Sequence, residues 1–137
     1  TLYRLGAAVV ESLRGEVPVE PLARYFEYWV LRLQGVYPSL AACGACGGDL
    51  GVGGRLDPGG DGFVCRRCAG DQGVLLSGDA VGFLRGAAGT PPDRLADIGL
   101  SERAGRELEQ AHRRLLAVHL EKELRSVRVL RAMGRGS

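Results

Sequence analysis

Lysine is almost absent from these 137 residues, Lys122 being the only one, so the basic character rests on arginine. A planar guanidinium suits bidentate contacts to phosphate, although codon bias alone produces the same preference. An excess of either charge is also missing. The formal net charge of +2 excludes only a strongly cationic protein, so the placement of the charges matters more than their sum. No apolar run approaches the ~18 residues needed to cross a membrane. There is no HExxH, no glycine-rich phosphate loop ending in Lys-Ser/Thr and no GxSxG, so no catalytic motif points to an enzyme. The expectation is a soluble, cytoplasmic protein.

What is present in excess is glycine, 22 of 137 residues, and four cysteines in two pairs. Cys43-Gly44-Ala45-Cys46 and Cys65-Arg66-Arg67-Cys68 fall in the C-x₂-C-x₁₅₋₂₀-C-x₂-C window of tetrahedral zinc sites. Two intervening residues let the chain curl until both sulfurs meet one ion at about 2.3 Å. Gly44, Gly47 and Gly48 supply the dihedral freedom for that turn. We read Cys43, Cys46, Cys65 and Cys68 as ligands of one structural zinc ion, since four thiolates leave no open position for water or substrate. Two alternatives stand beside this reading. Disulfides would suit a small secreted domain, but the first residues do not read as a leader. A redox dithiol would need one CxxC rather than two, and neither pair is expected at the strand-to-helix junction such motifs use.

The order of elements predicts a mainly α protein with an inserted zinc module of short β-hairpins. Residues 1–40 form the first part of a helical domain, 41–73 the module and 74–137 the second part. Leu2, Leu5, Val9 and Leu13 have helical spacing. A helix that begins at residue 1 suggests that the chain is a fragment of a longer protein. The next helix starts at Pro21, with Leu22, Phe26, Trp29, Val30 and Leu33 as its apolar stripe, and stops at Gly35 and Pro38. Phe26 and Trp29 are expected in the core rather than on a base-stacking surface. Within the module, Asp57-Pro58-Gly59-Gly60 reads as a turn between strands Arg55–Leu56 and Phe63–Val64. The ion would supply most of the folding free energy of such a module.

After an apolar segment, Val81–Leu84, and the connection Gly89-Thr90-Pro91-Pro92, a long helix is predicted with Ser101 as N-cap. Leu100, Ala104, Leu108, Ala111, Leu115 and Val118 hold one face. Leu120, Leu124, Val127 and Leu130 point elsewhere, so a kink or a break is expected near His119–Glu123. Opposite the first stripe lie Arg103, Arg106, Arg113 and Arg114, and Arg125, Arg128 and Arg131 continue the series. With Glu102, Glu107 and Glu109 interleaved, these are either a solvated face with intrahelical pairs or a surface for phosphate. Arg125, Arg128, Arg131 and Arg135 are expected to lack acidic neighbours, and Arg66 and Arg67 extend the series onto the zinc module. His112 and His119 are read as surface or partly packed residues rather than ligands.

Glu20-Pro21-Leu22-Ala23-Arg24-Tyr25-Phe26-Glu27, then Leu31 and Leu33, then Gly35-Val36-Tyr37-Pro38 running into Cys43, resembles the C-terminal part of the bacterial RecO family. Arg125-Ser126-Val127 stands where that family often carries Lys-Ser-Arg; the third position departs, and Arg128 is the nearest basic substitute. The family's N-terminal OB-fold has no counterpart in these residues.

The resemblance implies a non-enzymatic mediator of DNA repair and homologous recombination. Such a protein binds single- and double-stranded DNA, anneals strands, and acts with RecR and the single-stranded-DNA-binding protein to load RecA, in association with the nucleoid. It also implies that Arg24 receives the acidic C-terminal tail of the single-stranded-DNA-binding protein; a structural pair between Arg24 and Glu20 or Glu27 is the alternative. The competing reading of the whole chain is an unrelated zinc-ribbon module for protein interaction or transcription, with its arginines merely solvated.

Overall fold

The computed structural model describes residues 19–135, so the expected helix through Leu2 and Leu13 lies outside the described residues. Helix α1, Val19–Leu33, carries Glu20 in its first turn and Arg32 in its last, each matched to the dipole of its end. Gly35, at φ +76, closes it. The Gly35 amide bonds to the Arg32 carbonyl and the Val36 amide to that of Leu31, both at 3.0 Å, which is the Schellman arrangement that glycine permits.

The buried face of α1 is Leu22, Tyr25, Tyr28 and Leu31, rotated by roughly a third of a turn from the expected stripe. Phe26 and Leu33 are exposed and Trp29 is half-buried. The tyrosines account for the difference. Each buries its ring and gives its hydroxyl a partner: Tyr25 Oη donates to the Thr90 carbonyl at 2.9 Å, and Tyr28 Oη accepts from Arg32 Nη1 at 2.9 Å. A hydropathy stripe built from Phe, Trp and Leu overlooks such side chains.

Three antiparallel strands follow, β1 (Gly53–Leu56), β2 (Phe63–Cys65) and β3 (Val74–Ser77), in the order β2-β1-β3. The expected hairpin is present, with Arg55 opposite Val64 and Leu56 opposite Phe63. In its turn the Gly60 amide bonds to the Asp57 carbonyl at 2.8 Å, and the Gly59 amide to Asp57 Oδ2 at 3.1 Å. Strand β3 was not expected. It pairs with the other edge of β1, Leu56 opposite Val74 and Gly53 opposite Ser77.

A single turn, α2 (Arg66–Ala69), follows β2, and α3 (Gly78–Ala87) follows β3 and contains Val81–Leu84. Ser77 caps α3, its Oγ accepting from the Ala80 amide at 3.4 Å. A 3₁₀ helix over Pro92–Asp97 leads to α4, Glu102–Arg135, which Ser101 caps through the Ala104 amide at 3.2 Å. Helix α4 runs unbroken for 34 residues. The expected break into two helices near His119–Glu123 is therefore corrected, for a physical reason. Ala104, Leu108, Ala111 and Leu115 are buried, whereas Leu120, Leu124, Val127 and Leu130 are 53, 58, 44 and 67% exposed. Two apolar faces demand a bend only if both are buried.

Helices α1 and α4 run parallel, with Arg24 beside Glu109 and Glu27 beside His112. One core joins the three strands and the helices other than α2. Leu50, Leu56 and Phe63 of the cysteine module share it with Leu22, Leu31, Leu84, Leu108 and Leu115. The module thus packs apolar side chains against the helices instead of depending on an ion alone.

Candidate metal centre and arginine surface

The four cysteines converge because the strands that carry them are paired. Cys65 ends β2 and Cys68 lies on α2, so this pair does stand at a strand-to-helix junction, contrary to the expectation. Cys43 and Cys46 sit in a loop held to β2 by the Gly44 amide, which bonds to the Phe63 carbonyl at 2.9 Å. All four Sγ atoms lie within 4.8 Å of one another, and Cys46 Sγ is 3.8 Å from Cys65 Sγ. Ligands 2.3 Å from a tetrahedral centre stand about 3.8 Å apart. The donor set therefore fits one ion.

Backbone amides point at the sulfurs. The Cys65 amide reaches Cys43 Sγ at 3.2 Å, as does the Ala45 amide at 3.4 Å, and the Gly48 amide reaches Cys46 Sγ at 3.4 Å. The amides, that of Cys65 foremost, hold the Cys43 thiol down to about 6. Cys68, hydrogen-bonded to the sulfurs of Cys65 and Cys46, is pushed up to about 12. Four crowded sulfurs cannot all ionise in the absence of a cation, and a coordinated metal removes that conflict.

A second polar centre escaped the sequence. His112 is 3% exposed, so its reading as a surface or partly packed residue is corrected. Its Nε2 lies 2.8 Å from Tyr37 Oη and its Nδ1 3.0 Å from Glu27 Oε1. Burial pushes the Tyr37 phenol well above its ordinary value, so the hydroxyl stays protonated, and it donates to Nε2 in the tautomer whose ring proton is on Nδ1. In that tautomer Nδ1 donates to the Glu27 carboxylate, which can only accept while ionised. The signal was present in the periodicity, because His112 lies four residues after Leu108 on the edge of the buried stripe.

Arg24 is 8% exposed. Its Nε is 3.2 Å from Glu27 Oε1 and 3.9 Å from Glu20 Oε1, and its Nη1 is 3.4 Å from Glu109 Oε2. None of these is an aligned hydrogen bond from Nε or Nη1. The intramolecular pairing alternative is the arrangement found, and the guanidinium does not stand open to a peptide.

The arginines of α4 divide by partner. Arg103 pairs with Glu107 at 3.6 Å and Arg113 with Glu109 at 2.5 Å. Arg114 grips the Pro58 carbonyl from Nε at 3.0 Å and Nη2 at 2.6 Å, pinning the β1–β2 turn to the helix. Arg125 pairs with Glu121 at 2.6 Å, so the expectation that it lacks an acidic neighbour is corrected. Arg106, Arg128 and Arg131 are exposed and form no ion pair among the described residues, as do Arg66 and Arg67 on α2. At about 100° per residue Arg103, Arg106, Arg113, Arg128 and Arg131 lie on the side away from the core, and Arg114 and Arg125 lie nearer its edge. They line a ridge of roughly 40 Å from Arg103 to Arg131 at 1.5 Å per residue. Among the described residues no helix is long and apolar enough to cross a membrane.

Comparison with known proteins supplies the context. Residues 1–128 match the family model "Recombination protein O C terminal". A DNA repair protein RecO of Desulforudis audaxviator is 34% identical over 135 residues, covering 97% of this chain and 54% of that protein. One from Anaeromyxobacter sp. strain K is 34% identical over 143 residues, again covering 97% of this chain and 54% of the relative. One from Rubrobacter xylanophilus is 38% identical over 93 residues, 64% of this chain and 34% of the relative. The chain thus spans about half the length of the first two relatives. No solved structure matches. A match over nearly the whole length, with the four-cysteine cluster formed within it, places this chain in the RecO C-terminal family.

Proposed function

We propose that this protein serves DNA repair and homologous recombination as a non-enzymatic mediator. In this reading it binds single- and double-stranded DNA, promotes annealing, and works with RecR and the single-stranded-DNA-binding protein to load RecA. One zinc ion held by Cys43, Cys46, Cys65 and Cys68 has a structural part, bracing the sheet on which the helices pack. The relatives' name, DNA repair protein, supports the process. The arginine ridge supports the contact with DNA.

The observation that carries the DNA reading is the set of arginines with no ion-pair partner among the described residues, Arg66, Arg67, Arg106, Arg128 and Arg131. A guanidinium already paired to a carboxylate must give up that pair to meet a phosphate, whereas an unpaired one loses only water. Arg103, Arg113 and Arg125 are secondary members of the set, and Arg114 is largely committed to Pro58. Contacts of this kind read phosphate and carry no base sequence. The acidic tail of the single-stranded-DNA-binding protein would reach Arg24 only by displacing Glu27 or Glu109. We therefore place its docking in the adjoining groove of Phe26, Val30, Leu31 and Leu116, with Arg113 at the rim.

The test is fluorescence anisotropy with labelled single-stranded DNA over a series of salt concentrations. Binding should weaken with salt, and Arg128→Glu with Arg131→Glu should flatten the logarithmic slope by about one to two units, at about 0.7 to 0.9 per phosphate contact. An unchanged affinity and slope would show the ridge to be only a solvated surface.

A further inference from the structure

The four sulfurs of the cysteine cluster are not equivalent. Cys43 is buried and Cys65 half-buried, whereas Cys46 and Cys68 are exposed. The backbone donors divide the same way. Cys43 Sγ accepts from the Cys65 amide at 3.2 Å and the Ala45 amide at 3.4 Å, and the Cys68 amide serves Cys65 Sγ. Cys46 Sγ has the Gly48 amide at 3.4 Å, and among the described residues no backbone amide donates to Cys68 Sγ. An amide that donates to a thiolate stabilises its charge, and a stabilised thiolate is a weaker nucleophile. Once a metal is bound all four sulfurs are thiolates, so exposure and these donors rank them. Cys68 is the open sulfur without a donor, and the adjoining Arg66 and Arg67 give it the electropositive setting of reactive cysteines.

The partner of Cys68 follows from which neighbour can move. All four sulfurs lie within 4.8 Å of one another, and a disulfide needs about 2.05 Å, so two of them must close by roughly 2 Å. Cys65 is the last residue of β2, held in register opposite Gly54. Although it shares a strand-to-helix junction with Cys68, its backbone is pinned by the sheet. Cys46 sits in the loop before β1, followed by Gly47 at φ +74 and by Gly48. That loop yields more readily than the strand, and an oxidant reaches both exposed sulfurs from solvent.

We propose that Cys46 and Cys68 form an oxidation site, at which a peroxide joins the outer two sulfurs in a disulfide and dismantles the metal centre. This rests on the reading of the cluster as a zinc centre. The Cys68 thiolate attacks one peroxide oxygen, the O–O bond breaks, and the hydroxide released takes a proton to become water; Cys68 is then a sulfenic acid. The Cys46 thiolate attacks the Cys68 sulfur, the S–S bond forms, the S–O bond breaks, and a second hydroxide takes a proton to become water. Each thiolate gives up one electron and the peroxide gains two. The disulfide removes two of the four thiolate donors, and the remaining pair, Cys43 and Cys65, does not make a closed site. Arg66 and Arg67 lie between the second pair of ligands, so the reaction couples the oxidation state of the cluster to two arginines without an ion-pair partner among the described residues.

The test uses the unaltered chain, loaded with zinc, freed of reductant and treated with hydrogen peroxide beside a chromogenic chelator. Zinc should be released in step with the peroxide consumed, one for one. Trypsin cuts after Arg66 and Arg67, which separates Cys65 from Cys68. The disulfide should therefore join residues 33–55 to residues 68–85, through Cys46 on fragmentation, with Cys43 and Cys65 still open to alkylation. Dithiothreitol and zinc should restore the centre. Substoichiometric alkylation of the untreated zinc form gives a second reading, in which Cys46 and Cys68 should react about tenfold faster than Cys43 and Cys65. A chain that holds zinc but first forms a disulfide through Cys43 or Cys65, alkylates evenly, or keeps its zinc when oxidised would overturn this proposal and leave the metal reading intact. A chain that takes up no zinc would contradict the metal reading and this proposal with it.

Discussion

At the scale of single residues, two buried polar groups make predictions that composition could not suggest. Arg24 faces Glu20, Glu27 and Glu109, so Arg24→Ala removes a cation that three carboxylates share, although Glu109 keeps Arg113 and Glu27 keeps His112. Removing one partner of a fully buried pair costs ~3–5 kcal/mol. Here the carboxylates reach solvent, and a loss of about 2 kcal/mol is expected in urea unfolding. An unchanged midpoint would mean that Arg24 is free for another role.

Tyr37 offers a pH test. Its phenol is pushed well above the ordinary 10.0, chiefly by burial. The folded state therefore holds this proton more tightly than the unfolded one. The resulting stability is complete below pH ~10 and falls as pH rises above it. Tyr37→Phe should be destabilised at neutral pH by about 1–2 kcal/mol, because His112 Nε2 loses its donor. It should also lose less stability than the parent between neutral pH and pH ~11. Equal losses in both proteins would place the alkaline sensitivity elsewhere.

At the scale of elements, the local signals in the sequence were reliable and the non-local ones were not. The Asp57–Gly60 turn, the Ser101 cap and the Gly35 stop are written in adjacent residues, and each formed as expected. Strand β3 depends on pairing with β1 across some twenty residues, and its four positions include only one fully buried side chain, Leu76. Nothing within Val74–Ser77 itself announces that partner. The clue is Gly73, at φ +87, where an added Cβ would meet the Leu56 carbonyl oxygen at 1.9 Å. Gly73→Ala must push β3 from β1, and a loss well beyond ~1 kcal/mol is expected in thermal unfolding. A substitution without effect would show that the β1–β3 contact contributes little. The continuity of α4 was hidden for a related reason: periodicity locates an apolar face but does not say whether anything covers it.

At the scale of the whole molecule, the cysteine cluster was legible in the sequence because four ligands at fixed spacing carry their own geometry. How the cluster joins the rest was not, since the shared core of Leu50, Leu56, Phe63, Leu108 and Leu115 is set by tertiary packing. Loss of the ion should therefore spread beyond the loops. Cys46→Ser should release the metal, remove hydrogen-exchange protection from residues 53–77 and lower the melting temperature. Most of the helical signal should survive at 25 °C, because α1 and α4 touch each other directly. Protection of the strands equal to that of the parent would show that packing alone holds the sheet.

The most direct measurement is zinc-edge X-ray absorption on freshly purified protein, with metal content determined on the same sample. One zinc per chain, surrounded by four sulfurs at about 2.3 Å, is the expected result. No bound zinc, or a zinc with fewer than three sulfur neighbours, would contradict a structural centre at Cys43, Cys46, Cys65 and Cys68.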